Sequence, residues 1–441
     1  MTKAPDSAPI APSRPIILAW VGAFLFFAWA SVDYNNKIFL DNWHSDLRAD
    51  AGGYYSYLPG FFHHGFRANT VSDSMVFKGG DGFRLDREKD RIVTKYTCGT
   101  AVLQLPFFLV AESIEGFGAT DGWSRTHHRA IEIAGILYWT LGLFFLFLTL
   151  QRWWPETWGL ALLVVGCVAF GTNSFYYAFR SPGYCHVYAF FLVALSMYAL
   201  HADGSAPMRR SMRWLFMIAN ALIVLVRPVD VLAVLALYGL LFMTHPALLR
   251  WKRLYVEQFV VGAVVVFPQL LYWKFVHGQW VVYSYGEEGF RHWAAPMWKE
   301  VLMSPMNGLL PNAPMFFLLP LAIGALFLVR RSAMAWLLLA LFTAVVYTCS
   351  AWHAWHFGCS YGLRPMVEYV PFLALGLWAM FVTLKQRWPA ILHGALPLLA
   401  LLCFLHYRAM LHYDVCYRGG EWDWAPYGRN LIEAIFGKIP F

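Results

Sequence analysis

Two carboxylates, Asp46 and Asp50, stand just beyond the first long apolar run, Ile16 to Val32. Gly52-Gly53, the tyrosines Tyr54, Tyr55 and Tyr57, and Pro59 follow at once. A membrane-protein loop tolerates almost any composition, so acids and glycines gathered at the mouth of a span are an unusual choice. Ionisable groups held against a bilayer are costly unless a water-filled cavity receives them, and they mark pathways or chemistry more often than packing. The stretch predicts an enzyme whose active site opens on the outer side of a membrane.

Reactive side chains recur later. Lys95-Tyr96-Thr-Cys-Gly99 follows a mixed-charge stretch, and Asn173 to His186 ends in Arg180-Ser-Pro-Gly-Tyr-Cys-His186. Tyr283-Ser-Tyr285-Gly-Glu287-Glu288 precedes Arg291-His292, and Trp352-His353-Ala-Trp355-His356 leads to Arg364. Whether these segments share a compartment depends on how the apolar runs cross.

The composition demands crossings. Of 441 residues, 59% are hydrophobic and 14% charged, where a soluble domain carries about 25% charged residues. The 18% aromatic share suits interfacial belts. The net charge of +8 lies mostly in loops assigned to the cytoplasm, which excludes a nucleic-acid reading. Ile16 to Val32 is long enough to remain a span, and no small-residue cleavage site follows it. The seven cysteines include no C-x-x-C pair, hence no metal or redox motif. Cys98, Cys359 and Cys416 fall in outer regions and are read as free thiols, with a disulfide as the alternative.

The positive-inside rule fixes the parity. Arg209-Arg210-Arg213, Arg250-Lys252-Arg253, Arg330-Arg331 and Lys385-Gln386-Arg387 belong in the cytoplasm, as do Lys3 and Arg14. Thr100 to Ala111 is too short to cross, since a span needs about 20 apolar residues, and it then meets Glu112 and Glu115. Residues 100–117 are therefore predicted as a juxtamembrane helix on the outer surface. Crossings follow at 16–32, 130–150, 157–173, 184–202, 213–226, 231–247, 255–277, 313–330, 332–351, 366–384 and 389–407. That predicts an all-α polytopic membrane protein of about eleven spans in one domain, 1–441. It has a large first outer loop, 33–128, and an outer tail, 408–441. If 100–117 crossed instead, the first two basic clusters would be exported.

Basic clusters on both sides require a hairpin at Arg227-Pro228-Val229-Asp230. Irregular backbone at that depth survives only where protein buries it or water reaches it. Either Arg227 and Asp230 line a cavity floor, or they form a local i, i+3 ion pair that seals the turn. With this topology the carboxylates, histidines, arginines and tyrosines converge on the outer side, and the inner loops are short and basic. Such asymmetry argues against a transporter, whose polar groups must be reachable from both faces.

These features resemble the GT-C fold of polyprenyl-phosphate-sugar-dependent glycosyltransferases, which includes protein O-mannosyltransferases and the aminoarabinose transferases of lipid A. Asp50 with the following Gly-Gly-Tyr-Tyr is similar to the first-loop acidic motif of that superfamily. Lys95 to Pro106 (KYTCGTAVLQLP), Ser304 to Leu310 (SPMNGLL) and Trp355 to Arg364 (WHFGCSYGLR) look like strings in bacterial members. One departure is that Asp50 is followed by Ala51, so the Asp-Glu dipeptide of the mannosyltransferase branch is absent. This leaves Asp46 and Asp50 as alternatives.

The resemblance implies a sugar moved from a polyprenyl-phosphate donor to a hydroxyl of a glycan, glycolipid or protein acceptor, at the periplasmic face of a bacterial inner membrane. An inverting transfer needs a carboxylate to accept the hydroxyl proton and cations to stabilise the departing phosphate. Asp50 is the expected base, with Asp46 behind it; the structural alternatives for Asp50 are a helix cap or a pair with Arg48. Arg227, Arg364 and Lys95 are the phosphate-binding candidates, because guanidinium forks match phosphate oxygens. Tyr54, Tyr55 and Trp355 offer sugar-stacking faces, while His186 and Asp230 are further substrate contacts. His353 and His356 are read as hydrogen-bonding groups sooner than metal ligands. Glu287 of the Glu287-Glu288 pair would hold a sugar hydroxyl or a divalent cation, or simply end a solvated loop. No resident metal is assigned. No P-loop or dinucleotide fingerprint occurs, so the energy would come from the activated lipid. Asn430 to Phe436 reads as a short amphipathic helix at the outer interface. The rival readings are an O-antigen ligase or polymerase, and a lipid flippase or transporter.

Overall fold

Apolar runs in a bilayer must satisfy their own backbone hydrogen bonds, so they close as helices. The computed structural model describes residues 13–38, 47–80, 82–153, 158–200, 208–358, 360–413 and 423–437. Helix α1 (Arg14–Ile38) is followed by the short helices α2 (Asp50–Tyr55), α3 (Tyr57–Phe62) and α4 (Asp73–Gly79). A hairpin of β1 (Phe83–Asp86) and β2 (Arg91–Thr94) leads to α5 (Gly99–Glu115) and α6 (Arg125–Trp153). Then come α7 (Trp158–Gly171), α8 (Ser174–Phe179), α9 (Cys185–Ala199), α10 (Arg210–Val226), α11 (Val231–Thr244) and α12 (Lys252–His277). The chain continues through α13 (Trp298–Met303), α14 (Leu309–Asn312), α15 (Leu319–Leu328), α16 (Ser332–Ala351), α17 (Val370–Arg387), α18 (Pro389–His412) and α19 (Trp424–Phe436).

Each of the eleven crossing segments read from the sequence coincides with a helix. Six are long and apolar enough to cross a bilayer: Arg14–Asn35, Arg125–Trp153, Lys252–His277, Ser332–Ala351, Arg364–Arg387 and Pro389–His412. Shorter apolar helices fill between them. The protein is an all-α polytopic membrane protein, with one small β-hairpin in the loop between α1 and α6.

Helix α17 forms the centre, buried on every side from Val370 to Thr383, and α9 is nearly as enclosed. Helices α1, α12 and α18 stand at the periphery and expose apolar side chains such as Leu25, Phe259, Val264, Leu398 and Phe404. Apolar surface of that extent is what lipid covers. Helix α5 packs against α6, where Phe108 and Glu112 meet His127, and reaches Tyr188 of α9 through Gln104, while Val102, Val110 and Ile114 face outward. The acids at its end are structural. Glu112 Oε1 lies 2.9 Å from both His63 Nε2 and His127 Nε2, and Glu115 accepts from Ser124 Oγ at 2.5 Å.

A smaller core in the loop between α1 and α6 collects Leu47, Tyr55, Leu58, Met75, Phe83, Ile92, Phe108 and Trp123. Gly52 and Gly53 are needed for its close approach. A Cβ on Gly52 would sit 2.5 Å from the Gly79 carbonyl oxygen, and one on Gly53 would sit 2.4 Å from that of Gly82. The Gly-Gly pair thus lets α2 press against Gly79 and Gly82, and this contact aims Asp50.

Candidate active site

Asp50 opens α2 directly after Ala49, a non-glycine residue at φ 54°. Backbone held in such a region stores on the order of 1–3 kcal/mol and persists where the surroundings over-determine it. The carboxylate enters a cavity of about 580 Å³, within the usual range for ligand pockets. Its walls come from five regions distant in sequence: the loop between α1 and α6, the Tyr184–His186 entry to α9, the Arg227 turn, and segments within 282–290 and between Val345 and Tyr369.

Three cations, each paired with a carboxylate, ring this cavity. Asp50 Oδ2 is 2.7 Å from Arg364 Nη2. Lys95 Nζ is 2.5 Å from Glu288 Oε1. Arg227 Nη1 is 3.0 Å from Glu368 Oε1 and 3.9 Å from Asp230 Oδ1. His186 Nδ1 reaches the same Glu368 oxygen at 2.8 Å, and Tyr369 donates to Asp230 Oδ1 at 3.3 Å. Both arginines make these ion pairs through a single terminal nitrogen, and a guanidinium carries five N–H donors. Donors therefore remain for an anionic ligand.

Burial raises the Asp50 pKa, but Arg364, the Tyr96 hydroxyl, Lys95 and His186 together outweigh it and hold the carboxyl below its usual value. Tyr96 donates to Asp50 Oδ1 at 2.5 Å. Its own phenol is driven far above the ordinary range, by burial first and then by the Asp50 charge, so it remains a donor. Tyr54 packs on Tyr96 with ring centroids 4.4 Å apart. The Arg364 guanidinium stands 5.3 Å from the Tyr184 ring centre, and Tyr285 and Trp352 add further aromatic wall.

Three strings singled out in the sequence meet here. Gly99 lets the start of α5 abut the Arg227 turn, since a Cβ there would lie 2.3 Å from Val226 N. Asn307, from SPMNGLL, donates through Nδ2 to the His356 and Gly358 carbonyls at 2.6 and 2.8 Å. That braces the loop ending at Arg364.

The structure brings Asp50, Tyr54, Lys95, His186, Arg227, His353 and Arg364 to one cavity. Asp230 is fully buried beneath Arg227 and does not line it. Four expected substrate contacts fall elsewhere. Tyr55 turns into the smaller core, packs on Trp123 and donates to the Gly122 carbonyl at 2.6 Å. Glu287 is replaced at the wall by its neighbour Glu288. Trp355 and His356 lie outside the lining, and His356 Nδ1 accepts from Gly358 N at 3.1 Å. Asp46, Cys359 and Cys416 lie outside the described residues, and Cys98 is a buried free thiol. The residues that sequence reasoning passed over are Tyr96, Tyr184, Tyr285 and Glu368. Glu368 carried a usable signal, an acid within an apolar run, but its place near the end of the run hid it.

Among the described residues, one group of metal-ligating side chains comes together: Cys185, His186 and Glu368, with ligand atoms within 4.8 Å of one another. Glu368 Oε1 is already engaged by His186 and Arg227, and the guanidinium beside it opposes a dication. The set fits a metal poorly.

No protein-family model matches the chain, and no curated protein sequence matches it. Its backbone superposes on the crystal structure of ArnT from Cupriavidus metallidurans bound to undecaprenyl phosphate, with a TM-score of 0.53 over 96% of this chain and 70% of that one, at 16% identity. The chain shares the fold of that structure.

Proposed function

We propose that the chain transfers a sugar from a polyprenyl-phosphate-linked donor to an acceptor hydroxyl. The reaction would occur on the periplasmic side of a bacterial inner membrane, with the N-terminus in the cytoplasm. The observation that carries this reading is the cavity that Asp50 shares with Arg364, Arg227 and Lys95, where Glu288 is held by Lys95. A phosphate needs cations and a hydroxyl needs a base, and here both are at hand. The GT-C fold, and the undecaprenyl phosphate held by the structural neighbour, support a lipid-phosphate donor.

In this reading the acceptor oxygen attacks the anomeric carbon as the bond from that carbon to the phosphate oxygen breaks. The electron pair leaves with the polyprenyl phosphate, and the hydroxyl proton passes to Asp50. Arg364 has two partners in turn. In the free enzyme it neutralises Asp50; with donor bound it shares its fork with the phosphate, which loosens its hold on Asp50 and makes the carboxylate a better base. Arg227 and Lys95 complete the phosphate cradle, and Tyr54, Tyr96 and Tyr285 present rings to the sugar. No step requires a metal ion.

The test is sugar transfer by the purified full chain, using radiolabelled polyprenyl-phosphate donors against glycolipid, glycan and protein acceptors. Transfer with inversion supports the proposal. Lipid movement between leaflets without glycoside formation, in the same vesicles, would replace it with the flippase reading. Joining of preassembled lipid-linked glycans, with no monosaccharide transfer, would replace it with the ligase reading.

A further inference from the structure

A second concavity of about 460 Å³ lies at the end of α12, walled by Arg84, Lys89, Arg91, Phe275 and His277 among others. Antiparallel pairing sets Arg84 opposite Val93 and Asp86 opposite Arg91. Directly opposed residues share a face of the ribbon, so these four point one way while Phe83, Ile92 and Thr94 go into the core. Lys89 joins from the turn. The one acid, Asp86, is committed to that turn, its Oδ1 accepting from Lys89 N at 3.0 Å. Arg91 is fixed against the helix, donating through Nε to the Phe275 carbonyl at 3.0 Å with its guanidinium 4.0 Å from the ring centre. His277 Nε2 is buried and has no hydrogen-bond partner among the described residues. Three cations thus face one occupied carboxylate.

Directly below runs an apolar track. Val264, Phe267, Leu271 and Phe275 are all exposed on α12, and their spacing of three and four puts them on one stripe. This helix is long and apolar enough to cross a bilayer, with most of its surface unburied. Acyl chains are what such a stripe meets, and it ends at the cationic pocket.

We propose that this pocket holds the phosphate headgroup of an anionic bilayer phospholipid whose acyl chain lies along the α12 stripe. Its place explains what the lipid would do. β2 runs on directly into Lys95, and α12 supplies Trp273 to the central cavity. A headgroup bridging Arg84 and Lys89 to the α12 end would clamp two walls of the catalytic cavity without touching the reacting atoms.

The test is native mass spectrometry of the full chain in detergent, titrated with phosphatidylglycerol, phosphatidylcholine and, separately, inorganic phosphate. The wild type is compared with the double variant Arg84→Gln/Lys89→Gln. Both side chains are exposed, so the variant should fold. Loss of about fivefold in phosphatidylglycerol affinity is expected for each cation removed, with Arg84→Lys/Lys89→Arg restoring it and phosphatidylcholine weak throughout. Unchanged phosphatidylglycerol binding in the double variant would overturn the proposal. So would inorganic phosphate binding as tightly as the lipid, which would make this a free-anion site. A photoreactive phosphatidylglycerol gives a second reading on unmodified protein: adducts should map to 264–281, and adducts confined to other helices would refute the site. Neither measurement depends on transferase activity.

Discussion

Asp50 Oδ2 and Arg364 Nη2 lie 2.7 Å apart, tying the loop between α1 and α6 to the segment that enters the most buried helix. The pair couples the expected base to an expected phosphate ligand, so donor binding and proton transfer share one contact.

If Asp50 is the base, Asp50→Asn should lower kcat by about 10²–10⁴-fold, the usual worth of a general base, and leave donor binding largely intact. Single-turnover transfer alongside equilibrium binding of the donor measures both. Turnover equal to wild type would remove Asp50 from the chemistry and turn attention to Asp46.

The pH dependence follows from the same pair. Burial raises the Asp50 pKa, and Arg364 leads the groups that bring the net value below normal. A group with a depressed folded pKa contributes stability that is fully present above its unfolded value, about 3.9. That contribution is lost as pH falls from there through the folded value. The acidic limb of kcat/KM in wild type should therefore lie below the ordinary carboxylate range. Arg364→Gln removes the strongest opposing charge and leaves burial less opposed, so the limb should move to higher pH. A limb that stays in place would mean that another group sets it.

Gly53→Ala tests how the loop aims Asp50. The new Cβ would meet the Gly82 carbonyl oxygen and the Tyr96 ring, both at 2.4 Å. Overpacking of this kind typically costs about 1–3 kcal/mol. Because Tyr96 must move, activity should fall further than thermal stability. Gly166→Ala, whose Cβ would meet nothing within 4 Å, is the control and should leave both unchanged. Full activity in Gly53→Ala would show that the Asp50 geometry does not depend on this packing.

Hydropathy is a local signal, which is why each of the eleven apolar segments could be matched to a helix. The hairpin was not legible, because Arg84, Asp86, Arg87, Glu88 and Lys89 crowd its turn and mask the alternation that buries Phe83 and Ile92. That the acids, arginines and tyrosines would gather was readable from charge asymmetry, and they meet in one cavity. Which of two neighbours faces the cavity was not. Tyr54 and Tyr55 are adjacent on α2, and a helix turns about 100° per residue, so one lines the cavity and the other packs on Trp123. Glu287 and Glu288 divide in the same way. The partners of Arg227 were only half legible: Asp230 is local at i, i+3, whereas Glu368 arrives from a distant helix by tertiary packing alone.

That distant partner makes Arg227 both structural and a candidate ligand, and two substitutions separate the roles. Glu368 and Asp230 are fully buried beside it. Arg227→Ala leaves their charge uncompensated, and breaking a buried pair costs about 3–5 kcal/mol, so poor folding is expected whatever the function. Arg227→Lys keeps the positive charge but loses the planar fork that matches phosphate. Its thermal stability should stay close to wild type while affinity for polyprenyl phosphate falls by about tenfold or more, the worth of one charged hydrogen bond. Thermal unfolding and polyprenyl-phosphate binding, measured on the same preparation, decide the matter. A lysine variant that binds polyprenyl phosphate as tightly as wild type would reduce Arg227 to a counter-ion for Glu368 and leave the phosphate to Arg364 and Lys95.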